Sequence, residues 1–376
     1  MEGVFMDPEI QMIENEIKNQ IKADFSQRKV REVEKFHRSL AEYEPTPLIS
    51  LKHLARNLGV KDIFIKDESK RFALNSFKAL GASFAIHKIM SSHQSGEKPV
   101  FVTATDGNHG KAVAWAAQRQ GCEAHIFMPE GSKECRVKAI KKFRNAHVEV
   151  TNRNYDDTVR FAHAYAQNNS YYLVQDTGLE DYDQIPQNIA YGYSTMVSEA
   201  YQQMGDSKPS HVFLQAGVGS MAAGVIGNLR INGPIPFISI VEAMPCACFY
   251  ESIKIGKRSI ATGDGETIMA GLNCLEPNPL AYPMIKNNAR AFFSCPDWVT
   301  KIGVRKLAAP DGSDSVIESG ESGAVGLGLL MTIMRLNKYH TFKEKLNLNS
   351  ESVVLLFSTE GYTDEENCKD ILSGRC

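Results

Sequence analysis

The chain has 376 residues, 43% of them hydrophobic and 23% charged, with a formal net charge of −2. That balance is ordinary for a globular protein and sets up no global field for nucleic acid or a membrane surface, while the length predicts two lobes. No apolar run approaches the roughly 20 residues of a membrane helix, and Met1 to Lys18 lacks a signal-peptide core, so a cytoplasmic protein is expected.

The opening predicts a helix. Asp7 can cap it, Pro8 suits its first turn, and Ile10, Ile13, Ile17 and Ile21 form a stripe. A second helix after Ser26 carries Val30, Val33, Phe36 and Leu40, and Pro45 and Pro47 stop it. Leu54 to Leu58 is a short helix ended by Gly59, and Asp62 to Lys66 a strand. Regular alternation follows. Val100 to Thr103, Ala124 to Met128, Val148 to Thr151 and Tyr172 to Gln175 read as strands, separated by helices Gly110 to Gln120, Lys133 to Phe143 and Asp156 to Gln167. A long helix from about Gln184 to Met204 precedes strands His211 to Gln215, Phe237 to Glu242 and Ser352 to Phe357. Lys254 to Gly265 reads as a surface loop. Short apolar strands alternating with helices mean parallel sheets covered on both faces, an α/β fold.

In such folds ligands gather where strands end and helices begin, and helix N-termini bind anions. Three junctions stand out: Thr105-Asp106-Gly107-Asn108-His109-Gly110, Gln215-Ala216-Gly217-Val218-Gly219-Ser220-Met221, and Ser358-Thr359-Glu360-Gly361. Gly217, Gly219 and Ala222 also satisfy a G-x-G-x-x-A fingerprint, and the next strand ends in an acid, Glu242. A Rossmann oxidoreductase using a nicotinamide cofactor is therefore one reading, and a tight turn without ligand another. Lys78 lies in a small, apolar stretch running to Ala85. With few acids nearby in sequence, it is expected to be partly desolvated and its pKa lowered, as Schiff-base chemistry requires. A lysine snorkelling from a helix end is the plainer alternative.

Asn75-Ser76-Phe77-Lys78 resembles the Schiff-base lysine segment of type II pyridoxal-phosphate enzymes, which share the tryptophan-synthase-β fold. Pro45-Thr46-Pro47-Leu48 and Phe64-Ile65-Lys66-Asp67-Glu68 look like segments of the same family. Thr105 to Ala117, Val174 to Thr177, Ala216 to Gly224, Ile268 to Pro279 and Ser319 to Gly328 are similar to the 2,3-diaminopropionate ammonia-lyases within it. The chain departs from their pattern at Tyr362, where an Asp is usual, at Ala243 to Cys246, where an Asp-containing turn is usual, and at Gly178, Leu179 and Glu180, where an aromatic is usual.

The resemblance implies a large cofactor-binding lobe of residues 1–88 and 189–376, a smaller inserted lobe of 89–188, and pyridoxal 5'-phosphate in the cleft between them. Lys78 would carry the cofactor, Gly217, Val218, Gly219, Ser220 and Met221 its phosphate, Asn108 its phenolic oxygen, and Ser358 or Thr359 its ring nitrogen. Asp106 and Asp176 are the candidates to meet the substrate's second amine, with a turn or cap as the competing role of each. His109 reads as a structural neighbour, and Glu321 as facing the ring edge or capping a helix. The reaction implied is elimination from D- and L-diaminopropionate, giving pyruvate and two ammonia, with Lys78 and Asp106 as bases on opposite faces. A threonine or serine dehydratase-like lyase is the nearest rival. A small amino-acid substrate, no nucleic acid, no membrane and a homodimer are expected, the N-terminal helices Ile10 to Leu40 packing against the partner chain.

Eight cysteines are scattered without zinc spacing, so no metal is expected and free thiols are the default. Cys248 and Cys274 border the Gly-rich loop and lie in or beside the family blocks. A pairing between them would restrain that loop.

Overall fold

The computed structural model describes residues 8–17, 25–178 and 182–375. Asp7, Ile21, Leu179 and Glu180 lie outside the described residues.

The strands are β1 (Gln11–Glu14), β2 (Leu48–Ser50), β3 (Asp62–Asp67), β4 (Phe101–Ala104), β5 (Ala124–Met128), β6 (Ala146–Val150), β7 (Tyr172–Leu173), β8 (His211–Gln215), β9 (Phe237–Ala243), β10 (Ala291–Cys295) and β11 (Val353–Ser358). They form two sheets. A seven-stranded sheet runs β1-β10-β9-β8-β11-β3-β2, and a four-stranded sheet runs β6-β5-β4-β7. The small sheet is wholly parallel; in the large one only the edge strands β1 and β2 are antiparallel. The architecture is the expected α/β one, with parallel-rich sheets.

Over the described residues 8–17 the expected N-terminal helix does not form: Gln11–Glu14 is an edge strand, with Met12 opposite Phe293. The isoleucine spacing suits a helix locally, but the open edge of β10 offers backbone partners that a helix cannot cover. Ile10 is buried in the same core as Phe293. The helix after Ser26 forms as Gln27–Arg38, capped by the Ser26 hydroxyl on the Lys29 N–H. The helix expected from Gln184 to Met204 is broken at Ser194 into Gln184–Tyr193 and Thr195–Met204. There Asn228 Nδ2 donates to the Ser194 carbonyl at 2.6 Å, a side chain inserted into the helical ladder. β2 and β10, and the helices Asp297–Ala308 and Glu321–Arg335, had no expectation in sequence.

Helix Lys78–Ser92 lies between the two sheets, packed on helices Asn108–Arg119 and Gln184–Tyr193. Its residues from Ala79 to Ile86 are all buried, which is why the sequence there is small and apolar. At the crossing a Cβ on Gly81 would lie 2.6 Å from the Tyr193 ring, so only glycine lets the helices approach this closely.

A buried ionic network holds the approach to that helix. Arg71 Nη2 reaches Glu199 Oε2 at 2.8 Å and Glu68 Oε1 at 2.9 Å, and Lys66 Nζ reaches the same Glu199 oxygen at 2.7 Å. Thr46 Oγ1 donates to Glu68 at 2.6 Å, which ties in the Pro45-Thr46-Pro47 segment. Burial alone would raise the Glu199 pKa, but Arg71 and Lys66 bring it down to about 2. A carboxylate depressed on folding contributes stability above its unfolded pKa, near 4.3, and loses it as pH falls toward 2. Glu199→Ala leaves two buried cations under-paired and is expected to cost about 3–5 kcal/mol at neutral pH. Urea unfolding of wild type and variant, followed from pH 7 to pH 3, checks this: the gap should narrow as the pH drops.

Candidate active site

The chain enters the site on a strained turn. Phe72, Ala73 and Asn75 all have left-handed backbones, with φ of 50°, 55° and 60°, costing on the order of 1–2 kcal/mol each. The end of β11 holds the turn in place. Gly361 N donates to Asn75 O at 3.1 Å, Phe77 N to Thr359 O at 3.1 Å, and Asn75 Nδ2 to Tyr362 O at 3.2 Å. A Cβ on Gly361 would collide with the Asn75 side chain. Lys78 then opens its helix and points into a cleft of about 900 Å³, part of it open to solvent.

There Lys78 Nζ meets Asp176 Oδ2 at 2.5 Å. Sequence predicted few acids nearby and a lowered lysine pKa. Burial does push the lysine down, but Asp176 outweighs it, and the pKa ends above its ordinary value. Asp176 is buried and, despite that burial, is held at about 2 by Lys78 and His109. The acid was invisible beside Lys78 because β7, which delivers it, lies far along the chain.

Asp106 stands on the same cleft, two positions beyond β4, and burial raises its pKa to about 6 against the pull of Arg136 and Lys78. Asn108 lines it too, with Nδ2 donating to Glu360 Oε2 at 2.5 Å. His109 Nε2 pairs with the Val174 carbonyl at 2.8 Å, and its buried Nδ1 has no partner among the described residues.

Gly217, Val218, Gly219, Ser220 and Met221 form the cleft wall between β8 and helix Ser220–Ile231. The leading N–H groups of a helix have no intrahelical acceptor and favour an anion. Gly219 has φ +94°, and a Cβ there would strike the Phe249 ring, so the turn admits no side chain. The Ser220 hydroxyl, expected to face a phosphate, here donates to the Asp176 carbonyl and accepts from Asn278 Nδ2 at 2.7 Å.

Of the two hydroxyls at the end of β11, Thr359 lines the cleft and accepts from Gln215 Nε2 at 3.2 Å, whereas the buried Ser358 Oγ does not line it. Glu321 does not line it either: it opens its helix, and its carboxylate takes Asn367 Nδ2. Glu242, the acid of the dinucleotide reading, is fully buried, accepting from Phe249 N and Tyr250 N at 2.7 Å each. Burial raises it to about 8. It caps helix Cys248–Ile255 and offers nothing to a ribose.

Cys248 and Cys274 are both free, correcting the expected pairing. Each lies beside Gly217, Cys248 Sγ 3.8 Å from its carbonyl and Cys274 Sγ 3.2 Å from where its Cβ would be. Tyr362 and Ala243 to Cys246, two of the three departures from the family pattern, do not line the cleft. Away from it, Glu123, just before β5, His125 on β5 and His147 on β6 bring donor atoms within 4.8 Å of one another, which sequence spacing could not show.

Sequence reading missed Tyr155 and Arg136, and it gave no site role to Glu360 or Cys274; all four line the cleft, with Asn278 behind it. No signal comparable to that of Asp106 marks Tyr155, which lies five residues beyond β6 at the start of its helix. The cleft fits a phosphorylated aldehyde cofactor: it presents one amine, a phosphate-sized turn open at a helix N-terminus, and a neutral hydroxyl at a strand end.

The family described as "Pyridoxal-phosphate dependent enzyme" matches residues 40–359. The diaminopropionate ammonia-lyase of Escherichia coli strain K12 is 45% identical over 367 residues, covering 93% of this chain and 92% of that one. The crystal structure of that Escherichia coli enzyme in its selenomethionine holo form superposes with a TM-score of 0.93 at 42% identity, over 98% of each chain. The same enzyme in complex with an aminoacrylate-PLP azomethine reaction intermediate gives 0.91 at 43% identity, over 98% of this chain and 97% of that one.

Proposed function

The chain belongs to the pyridoxal-phosphate dependent enzymes, and from that premise we propose that it is a diaminopropionate ammonia-lyase, releasing pyruvate and two ammonia from either stereoisomer. Lys78, paired with Asp176 and faced by Asp106 in one cleft, carries the proposal. An amine to hold the cofactor, with two carboxylates beside it, suits a substrate bearing a second, basic amine. A hydroxyl substrate needs no such pair.

Pyridoxal phosphate, bound through Lys78, supplies the electron sink that makes the substrate's α-proton removable. In this reading the turn Gly217 to Met221 takes the phosphate on backbone N–H groups, and Asn108 the phenolic oxygen. Thr359 takes the ring nitrogen. Its neutral hydroxyl tempers the sink and favours elimination over transamination. Lys78, released from the cofactor by the incoming amine, takes the α-proton of the L-isomer, and Asp106 that of the D-isomer from the other face. Asp176 stabilises the charged forms of Lys78 and accepts from the substrate's side-chain amine. Residues 89–188 serve as the smaller lobe closing over the rest of the chain.

No helix among the described residues is long and apolar enough to cross a membrane. A cytoplasmic homodimer completes the reading, resting on the commonness of isologous dimers. The N-terminal surface offered for it is altered by the strand β1.

Steady-state pyruvate formation from D- and L-diaminopropionate, with L-serine as control, tests the function. Turnover of both isomers ahead of serine is expected. Serine consumed faster than either isomer would return the chain to the dehydratase reading.

A further inference from the structure

The cleft divides its labour between the sheets. The large sheet supplies Lys78, the glycine turn after β8 and Thr359 after β11, whereas the small parallel sheet sends in a polar group from the carboxyl end of three of its strands. Asp106 follows β4, Asp176 follows β7, and Tyr155 follows β6 at the start of helix Tyr155–Asn168. The first two already have roles in the lyase reading. Tyr155 has none.

Its hydroxyl is oriented by Gln175, which is fully buried. Gln175 Oε1 accepts from Ala104 N at 3.0 Å and Thr103 Oγ1 at 2.9 Å, and the backbone donor fixes which end of the amide is oxygen. Gln175 Nε2 must then donate to the Tyr155 oxygen, at 3.3 Å. Tyr155 accepts from the protein, so its own O–H hydrogen is left for the cleft, where no described residue accepts it. Burial, together with the nearby carboxylates of Asp176 and Asp106, raises this phenol well above its ordinary pKa, so it keeps its proton at any working pH.

We infer that Tyr155 is a specificity-determining residue of the lyase, donating its O–H to the lone pair of the substrate's neutral side-chain amine while that amine's N–H groups donate to Asp106 and Asp176. In the elimination Lys78 or Asp106 takes the Cα proton, and an equivalent proton passes from that group to the side-chain nitrogen as the Cβ–N bond breaks, so that nitrogen keeps the bonding pair and leaves as ammonia. The step balances within the site, and the phenol retains its own proton throughout. A fixed donor at this point steadies the electron pair gathering on nitrogen. It has nothing to offer a leaving group that departs as a stable anion.

This rests on the lyase reading, and leaving-group chemistry separates the two. Tyr155→Phe keeps the ring and removes only the donor. With diaminopropionate its kcat/KM should fall about 10²-fold, the usual loss for one preorganised donor. With β-chloroalanine, whose chloride leaves without a proton, it should change by less than about threefold, and that retained turnover also reports a folded, loaded site. Equal losses on both substrates would make Tyr155 a packing residue and overturn the inference, as would an unchanged kcat/KM for diaminopropionate. Should Tyr155→Phe not fold, Gln175→Glu tests the same point, because a carboxylate draws the phenol hydrogen inward and should lower the diaminopropionate to β-chloroalanine ratio alike. Wild type that releases no pyruvate from diaminopropionate would defeat the lyase reading itself.

Discussion

Lys78→Ala is expected to abolish pyruvate formation from both isomers and, in the same preparation, the yellow absorbance near about 420 nm of a lysine-bound pyridoxal cofactor. The loss should exceed about 10³-fold, because no other amine among the residues lining the cleft can take its place. The substitution also acts on Asp176. Lys78 is the main influence holding that buried carboxyl at about 2, so without it burial should push the acid upward. A folded pKa nearer the unfolded value means that the stability Asp176 contributes above pH about 4 is lost. Lys78→Ala should therefore unfold at lower urea at pH 7, with the difference shrinking toward pH 2. Retained activity in Lys78→Ala would remove the cofactor reading altogether.

The second large effect divides Asp106 from Asp176. Asp176→Asn removes the partner of Lys78 and one acceptor for the side-chain amine, so turnover of both isomers should fall by about 10²–10⁴-fold. Asp106→Asn should harm D-diaminopropionate by a similar factor and the L-isomer less, since Lys78 still serves the face from which the L-isomer loses its proton. The pH profile provides a separate check. Burial places Asp106 at about 6; a base must be deprotonated, so wild-type kcat/KM for the D-isomer should rise with pH through about 6. That limb should be missing in Asp106→Asn. Equal, mild losses on both isomers would reduce the two aspartates to turn residues.

Much of the fold was legible because it is local. Ala124–Met128 and His211–Gln215 match the expected strands residue for residue, since a short apolar run between turn signals has few other fates. Gly59 ends its helix with φ +70°, as a glycine stop requires. The failures share one cause. Gln11–Glu14 looked helical and became a strand because β10, whose residues lie at the other end of the chain, had an edge to fill. The Gln184 to Met204 helix looked continuous because nothing nearby announces the Asn228 amide that enters it.

The site divides along the same line. Sequence by itself determined its ingredients: a lysine in a small apolar helix, glycine turns at strand ends, and aspartates within three residues of a strand's end. Each is set by short-range chemistry, so motif and spacing carried it. Only the tertiary structure decided what those ingredients do to one another. It set Asp176 against Lys78 and so kept the lysine charged where composition argued for neutrality. It left Thr359 on the cleft and withdrew Ser358 and Glu321 from it, buried Glu242 under a helix where a ribose acid had been possible, kept Cys248 and Cys274 as thiols, and set the Gln175 amide against the Tyr155 hydroxyl. Electrostatic and hydrogen-bond energies depend on separations of a few ångströms between groups that are distant in sequence. Those separations exist only once the two sheets have closed on each other.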